Sequence, residues 1–281
     1  MNRSGRFNGS SDSISRATAA SAVATASCGI AFMAKASVPG RAKTRLVPPL
    51  SFDEAAALNT AFLRDVADNV LLAARHTASH SGIAGYAAFG PTDAEDFFRR
   101  NLPGAIGLIG AWLPNFGDCL FHTIGEIFAR GHGSAVVLNS DSPTLPTALL
   151  IETAAALARP GDRAVIGPSS DGGYYLLGLK AAHRRMFEDI AWSTARVAEQ
   201  TIERASEIGL EVHTLPVWYD VDDVDGLRRL NAELSGKDEG RHSAHSPHYA
   251  IQTAKLMSSL WRERDFGRRI DRAMPADEVR A

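Results

Sequence analysis

One stretch of the sequence constrains the fold more than any other: the apolar run 135–138, which leads into Asn-Ser-Asp-Ser-Pro-Thr-Leu-Pro. Consecutive apolar residues with two valines favour a strand buried on both faces, as in a parallel sheet covered by helices. Pro143 and Pro146 lack the N–H that a ladder needs, so Asp141 is predicted to lie at the carboxyl end of this strand. Ligands bind at that end of open α/β sheets. Alternatively, Asp141 only caps a helix that begins near Thr147.

Similar apolar runs alternate with helical patterns along the chain. Strands are predicted at 28–35, 82–89, 105–112, 135–140, 164–167 and 212–215. Helices are predicted at 51–74, 92–99, 116–130, 148–157, 194–208 and 224–234. This alternation predicts an α/β domain of three layers with a mostly parallel central sheet, over residues 29–235. We expect residues 1–28, rich in Ser and Ala, to be a disordered leader, and 236–281 to be a linker and a C-terminal helical extension with a helix near 251–261.

Composition excludes several classes of protein. Lys and Arg (30) nearly balance Asp and Glu (32), which gives a formal charge of -2 and no basic stripe, so we expect no nucleic-acid partner. Two cysteines, Cys28 and Cys119, are too few and too far apart for a disulfide framework or a zinc site, and a reducing cytoplasm fits best. No run approaches the roughly 18 apolar residues of a membrane helix, so we expect no membrane span.

Three acids follow strands at turns: Asp141, Asp171 and Asp222. Carboxylates gathered at one sheet edge repel one another unless a cation neutralises them, and Mg²⁺ or Mn²⁺ is the usual hard, oxygen-ligated ion. Asp171 precedes two glycines and two tyrosines, which can bring a ligand close to the backbone but can also form a Gly-rich hairpin turn with core aromatics. Asp222 lies in Asp-Val-Asp-Asp, which can equally be the acidic start of a helix.

A basic loop follows the first predicted strand. It supplies fixed charge and bidentate arginine forks for phosphate oxygens, and its Pro-Gly pair allows close backbone approach. Its spacing does not match a Walker P-loop. The alternative is an ordinary solvated basic turn. The candidate nucleotide-binding residues are Lys35, Pro39, Gly40, Arg41, Lys43 and Arg45.

Five ordered motifs resemble those of the bacterial DUF2064 proteins, a glycosyltransferase-A-like group related to the guanylyltransferases of coenzyme F420 biosynthesis and to the wider nucleotide-diphospho-sugar transferases. The resemblance spans about residues 29–232. It implies a Rossmann-like glycosyltransferase-A fold that binds a nucleotide through the basic loop, with Asp141 and either Asp171 or Asp222 near a metal. The motifs are 34–46, 141–146, 167–175, 190–194 and 220–223.

The chain departs from the family pattern in two places. Where relatives have a motif such as Gln-x-Gly-Asp-Leu-Gly-x-Arg, residues 115–122 keep Asp118 but replace the arginine by His122. Asn139 stands where a glycine commonly precedes Ser-Asp. If the missing arginine contacts an anionic substrate group in relatives, then the acceptor differs here or activity is impaired.

The resemblance and the motifs together predict a metal-dependent transferase that uses a nucleotide-activated donor, foremost a nucleotide-sugar glycosyltransferase with a small-molecule acceptor. Lys43 and Arg45 would hold the diphosphate, Asp141 and Asp222 the metal, and Asp171 or Asp222 would orient or deprotonate the acceptor. Two alternatives stay open: a nucleotidylyltransferase acting on a phosphorylated acceptor, and a nucleotide-binding protein that has lost catalysis. Homo-oligomerisation also stays open. The candidate substrate-binding residues are Asp118, Gly172, Gly173, Tyr174, Trp192, Ser193 and Thr194.

Overall fold

A seven-stranded sheet forms the centre of the protein. The computed structural model describes residues 27–78, 82–236, 245–262 and 265–273. In this part of the chain the strands lie in the order β3-β2-β1-β4-β6-β5-β7. Their bounds are β1 Cys28–Lys35, β2 Ile83–Gly90, β3 Gly107–Gly110, β4 Ser134–Leu138, β5 Arg163–Pro168, β6 Tyr174–Leu179 and β7 Glu211–Thr214.

The sheet is mostly parallel, as predicted, with one reversed strand. β1 pairs in parallel with β2 on one side and β4 on the other. β6 lies antiparallel between β4 and β5, and β5 pairs in parallel with β7. The start of β6 therefore lies at the same edge of the sheet as the carboxyl ends of its neighbours.

Helices cover both faces and create two buried layers, which confirms the three-layer α/β prediction. α1, α4, α6, α7 and α8 pack on one face through residues such as Phe62, Leu149 and Leu260. α3 and α5 pack on the other through residues such as Ile124 and Ala205. The helix bounds are α1 Phe52–Thr77, α2 Glu95–Asn101, α3 Phe116–Ala129, α4 Thr147–Ala158, α5 Val197–Glu207, α6 Val224–Leu234, α7 Ile251–Arg262 and α8 Phe266–Arg272.

The predicted elements occur where the patterns placed them, apart from local differences. β3 is shorter than the predicted 105–112, and a 3-10 turn at Thr92–Ala94 precedes α2. β6 is a strand that the patterns do not predict: after the bend at Gly172 and Gly173, its apolar residues complete a hairpin with β5. α8 had no prediction, because its buried side chains are only Phe266 and Ile270 in a basic segment.

The C-terminal helices pack onto α1. The Asp65 carboxylate of α1 accepts hydrogen bonds from the N–H groups of Gln252 (2.9 Å) and Thr253 (2.8 Å), and so caps the start of α7 from another helix. Arg269 of α8 forms a bidentate ion pair with Glu54, which itself belongs to the capping box of α1. The extension predicted from 236 onward is therefore packed against the α/β core, although its linker, 237–244, lies outside the described residues.

The predicted leader falls almost wholly on residues 1–26, outside the described residues, while Cys28 already begins β1. In the described part of the chain, no helix combines the length and the apolar content that a membrane crossing requires.

Candidate functional site

The predicted acids meet at one edge of the sheet. Asp141 follows β4, Asp171 follows β5, and Asp222 belongs to the segment between β7 and α6. Backbone hydrogen bonds join two of these segments, because Val221 N donates to Asp141 O (2.9 Å). The Ser142 hydroxyl adds a bond to Tyr219 O (2.8 Å). The acids at the ends of separate strands therefore form one cluster.

Lys43 lies at the centre of this cluster. Its Nζ is 2.7 Å from Asp141 Oδ1 and 2.8 Å from Asp222 Oδ1, and it donates to Val221 O at 2.7 Å. The Lys43 side chain is only 5% exposed, against 31% for Asp141 and 43% for Asp222. Its backbone takes the left-handed region (φ 51°), a conformation that side-chain-bearing residues adopt mainly where the surroundings impose it. One buried ammonium thus neutralises two carboxylates.

This geometry favours a role for Lys43 other than the predicted contact with a diphosphate. An ammonium has three donors, and here all three are engaged by protein oxygens, so none is left for a diphosphate in this arrangement. The other cations of the loop are different: Lys35, Arg41 and Arg45 are exposed and form no ion pair with the residues that the structure describes. They are the phosphate-binding candidates that the structure leaves available, beside the turn at Gly40 (φ 76°).

Burial and charge shift the protonation equilibria of the cluster. Burial lowers the pKa of Lys43, but the charges of Asp141 and Asp222 outweigh it, so the net shift is upward and the ammonium keeps its proton. Burial raises the pKa of Asp141 against the pull of Lys43, and the Asp222 charge adds to the rise. Burial also opposes ionisation of Asp222, yet Lys43 and Arg45 hold its pKa below the ordinary value.

A fourth carboxylate, Asp220, belongs to the cluster although the sequence motif singled out Asp222. Burial, followed by the charges of Asp171 and Asp222, raises the pKa of Asp220 to about 7. The signal in the sequence was the two-residue spacing between the acids, which places both on the segment that enters the cluster.

The structure decides between the alternatives left open for the acids. Asp141 does not cap α4, whose N-cap is Pro146 without a side-chain bond. In the Asp-Val-Asp-Asp motif the helix cap is Asp223, whose Oδ1 accepts from Gly226 N (2.9 Å), so Asp222 is free to face Lys43. Asp171 stabilises its own turn, because its Oδ1 accepts from Gly173 N (2.9 Å) and from the Ser169 hydroxyl. The turn interpretation of the Asp171 motif is therefore confirmed, and its role toward a ligand stays a prediction.

The oxygens of this cluster suit a hard divalent cation. Asp141 and Asp222 present carboxylate oxygens, and Asn139 Oδ1 is buried with no hydrogen-bond partner among the described residues. Carboxylate and amide oxygens are the ligands that Mg²⁺ and Mn²⁺ prefer, and Asn139 lies two residues before Asp141 in the same loop. In the described ranges no three His, Cys, Asp or Glu side chains are already arranged around a common point, and Lys43 holds the place between the carboxylates. Asn139, noted as a departure from the family pattern, is thus a candidate ligand.

The predicted acceptor side forms a second group of residues around the start of α3. Trp192 packs edge-to-face on Phe116 (ring centroids 5.2 Å apart), and Ser193 (φ 65°) and Thr194 continue this exposed turn. Asp118 is paired with Arg184, whose Nη2 is 2.8 Å from Asp118 Oδ1.

Tyr174, Gly172 and Gly173 were predicted to bind substrate, but in the structure their exposed surfaces are limited by packing and hydrogen bonds. Tyr174 packs among the apolar side chains on the α3 face with its hydroxyl buried, and burial alone raises its pKa. The Tyr174 ring is therefore part of the buried layer under α3 and does not offer an exposed face for stacking on a substrate. Gly172 (φ 89°) lies so close to the loop that a Cβ there would be 2.1 Å from Ala195 O. Gly173, beside it, donates its N–H to Asp171 rather than facing open space.

Arg184 is a residue that the sequence patterns did not indicate. His122, which replaces the family arginine, has its Nε2 3.1 Å from Gly110 O, and the cation beside Asp118 comes instead from the 3-10 turn Arg184–Phe187. No short-range spacing links Arg184 to Asp118, so the pairing was not visible in the sequence.

Solved structures share this architecture. A candidate nucleotide-diphospho-sugar transferase from Desulfovibrio desulfuricans G20 superposes with a TM-score of 0.67 at 26% sequence identity, over 83% of this chain and 94% of that chain. A 4-diphosphocytidyl-2C-methyl-D-erythritolsynthase from Anaerococcus prevotii DSM 20548 is more distant, with a TM-score of 0.48, 11% identity and coverage of 76% and 99%, and that likeness carries no functional argument. The fold is that of the nucleotide-diphospho-sugar transferases, in the glycosyltransferase-A-like class.

Part of the chain is similar to the DUF2064 family. Residues 73–194 match it, with the description "Uncharacterized protein conserved in bacteria", which confirms the resemblance drawn from the motifs. The matched segment contains Asp141, Asp171 and Trp192, whereas Lys43 and Asp222 lie outside it. The relation to the guanylyltransferases of coenzyme F420 biosynthesis stays a prediction. No curated protein is similar in sequence to this chain.

Proposed function

We propose that the protein is a metal-dependent transferase that uses a nucleotide-activated donor, foremost a nucleotide sugar. One observation carries the proposal: Asp141 and Asp222 converge on a single buried cation at the carboxyl edge of the sheet, beside a loop of exposed cations. Charge gathered at this edge suits the transfer of a group away from phosphate. The candidate nucleotide-diphospho-sugar transferase from Desulfovibrio desulfuricans G20 supports the same class of reaction.

The basic loop would bind the phosphates of the donor. Arg41 and Arg45 offer planar forks and Lys35 a point charge, and none of them is engaged in an ion pair with the described residues. Gly40 allows close backbone approach because its φ is positive. Lys43 would act indirectly, since its ammonium fixes the positions of Asp141 and Asp222.

Asp141, Asp222 and the Asn139 amide oxygen would hold Mg²⁺ or Mn²⁺. A divalent cation held there supplies positive charge against the leaving nucleoside diphosphate. These side chains project from loops joined by backbone hydrogen bonds, so their positions are preorganised.

Asp171 would orient the acceptor. Its Oδ1 is fixed by the turn, while its Oδ2 accepts no hydrogen bond from the described residues and stays available to an acceptor hydroxyl. Asp222, the other acid proposed for this role, is already engaged by Lys43. In this proposal, Asp171 therefore binds the acceptor, and Asp141 and Asp222 bind the metal.

Calorimetric titration with nucleotide sugars and with nucleoside triphosphates, each with and without Mg²⁺ or Mn²⁺ and with analysis of products, tests the proposal. Transfer or hydrolysis of a UDP- or GDP-sugar supports it. Pyrophosphate release from a triphosphate would replace it by nucleotidylyl transfer, and metal-dependent binding without a product would replace it by a binding function. Failure of every nucleotide to bind would overturn all three.

Asp141→Asn sharpens this experiment. The variant should lose metal-dependent nucleotide binding and keep its fold, because the amide cannot supply a second anionic oxygen. Asp162→Asn is the matched control, since Asp162 is a carboxylate before the start of β5, at the opposite edge of the sheet. Equal metal dependence in both variants would contradict the assignment.

A further inference from the structure

We propose that the cavity at the start of α3 is the acceptor subsite, and that it takes a neutral polyhydroxylated compound such as a sugar rather than a phosphorylated one. This inference rests on the proposed transferase function and names its acceptor class. The cavity measures about 340 Å³. It lies between the start of α3 and the segment 184–192, and it is lined by Asn115, Asp118, Arg184, Phe187, Glu188, Asp189, Ile190 and Trp192.

The chain connects this cavity with the acidic cluster. The segment that lines the cavity continues through Ser193 to Ala195, whose backbone packs on Gly172, the residue after Asp171. A further bond, from Ala198 N to Gly172 O (3.0 Å), fixes the loop to the acidic turn. An acceptor bound at Trp192 would therefore lie on the side of the site where Asp171 is available.

The walls of the cavity are closely packed. Gly117 at the start of α3 leaves no room for a side chain, because a Cβ there would be 2.8 Å from Phe187 O and 3.1 Å from the Trp192 ring. Asp189 (φ 54°) and Ser193 (φ 65°) hold left-handed backbone conformations at either side of Trp192. Such conformations are sparsely populated for residues other than glycine and concentrate at functional sites.

The charge of the lining argues against a phosphorylated acceptor. Asp118, Glu188 and Asp189 face one cation of the lining, Arg184, whose guanidinium is already shared between Asp118 (2.8 Å) and Glu188 (3.3 Å). Arg185, next to the lining, pairs with Asp189 and Glu188, so the carboxylates and the cations around the cavity largely compensate one another. A phosphate group placed there would be repelled by these carboxylates, and the two cations beside them, Arg184 and Arg185, are already engaged in ion pairs.

The same groups suit hydroxyls. Ionised carboxylates accept hydrogen bonds from several hydroxyl donors, and the Asn115 amide NH₂ is a donor, since its oxygen is already bonded to Gly117 N (2.8 Å). Trp192 supplies an apolar ring with a polar N–H at its rim.

Ligand-observed NMR titration of the full chain, without any nucleotide, tests the inference with glucose, glucosamine and glucose 6-phosphate as probes. We expect saturable binding of glucose in the millimolar range and binding of glucose 6-phosphate at least about tenfold weaker. Trp192→Ala should abolish binding of glucose, and Glu188→Lys should narrow the preference for glucose over its phosphate. Asp271→Asn, on the exposed side of α8 at the other face of the sheet, should behave as the wild type.

Three results would overturn the inference: glucose 6-phosphate binding as tightly as glucose, no saturable binding of glucose up to about 100 mM, or binding of glucose that Trp192→Ala leaves unchanged. A preference for glucosamine over glucose would revise the class from a neutral to a cationic polyol and equally overturn it. Because the assay contains no nucleotide, failure here with intact nucleotide binding would leave the proposed transferase function standing.

Discussion

Replacing Lys43 by methionine tests whether the buried ammonium holds the acidic cluster together. Methionine preserves most of the length and the apolar stem of the side chain but removes the charge and its three hydrogen bonds. Asp141 and Asp222 would then face each other without a cation between them, and Val221 O would lose its donor.

The structure sets the size of the effect. Removing one partner of a buried ion pair costs about 3–5 kcal/mol, whereas exposed pairs contribute about 0–1 kcal/mol. Lys43 is 5% exposed, but Asp141 and Asp222 are 31% and 43% exposed, so water can reclaim part of their solvation. We therefore expect the free energy of unfolding to fall by about 2–3 kcal/mol, between the two limits.

Urea unfolding at neutral pH in EDTA measures this loss, with Lys255→Met as the matched control because Lys255 is an exposed lysine of α7. Lys43→Met combined with Asp222→Asn should be more stable than Lys43→Met alone, since the second change removes one of the two unpaired charges. When Mg²⁺ replaces EDTA, it should stabilise Lys43→Met more than the wild type, because in the variant Mg²⁺ no longer competes with the Lys43 ammonium for the carboxylates. A loss below about 0.5 kcal/mol, or a double variant no more stable than the single one, would refute the reasoning.

Three further predictions concern other parts of the protein. Because the pKa of Asp220 is raised to about 7, the folded state binds more protons than the unfolded state between about pH 4 and 7. The wild type therefore loses stability as the pH rises through this range. In EDTA, the free energy of unfolding of Asp220→Asn should rise relative to that of the wild type over the same range. A constant difference across the window would contradict this assignment. Gly172→Ala should lower the free energy of unfolding by about 2–4 kcal/mol, because φ is 89° and the new Cβ would be 2.1 Å from Ala195 O. Urea unfolding measures this loss, and an unchanged midpoint of unfolding would show that the loop moves to accommodate the methyl group. Asp65→Asn leaves one N–H at the start of α7 without an acceptor, so the free energy of unfolding should fall by about 1–3 kcal/mol. Limited proteolysis should then cut α7 faster than in the wild type. Equal resistance to the protease would mean that apolar packing alone holds the helix in place.

Most of the fold could be predicted because its signals are local. The apolar run before Asp141 is a strand, and the helix predicted at 51–74 is α1, which begins at a capping box of Ser51 and Glu54. Strand ends followed by prolines or glycines placed the acids correctly, since parallel strands bring their carboxyl ends to one edge. The direction of β6 could not be predicted in this way, because a buried strand shows the same apolar run whether it pairs in parallel or antiparallel with its neighbours.

The site was predictable in its members but not in its pairings. Asp141 and Asp222 were recognised from motifs, yet which cation neutralises them depends on the contact with Lys43, 179 residues before Asp222 in sequence. The basic loop suggested several equivalent cations, and only burial distinguishes Lys43 from its exposed neighbour Arg45. The partnership of Asp118 with Arg184 has the same origin, since no spacing rule links residues so far apart.

The contact between Lys43 and Asp222 also has a consequence for synthesis of the chain. β1 is the third strand of the sheet from one edge, but its partner β4 is translated only after β2 and β3, and Asp222 comes later still. A nascent chain that has released β1, β2 and β3 from the ribosome cannot yet neutralise or position either carboxylate. The Lys43–Asp141 ion pair can therefore form once β4 has emerged, whereas the site is complete only when Asp222, which follows the last strand, has emerged as well.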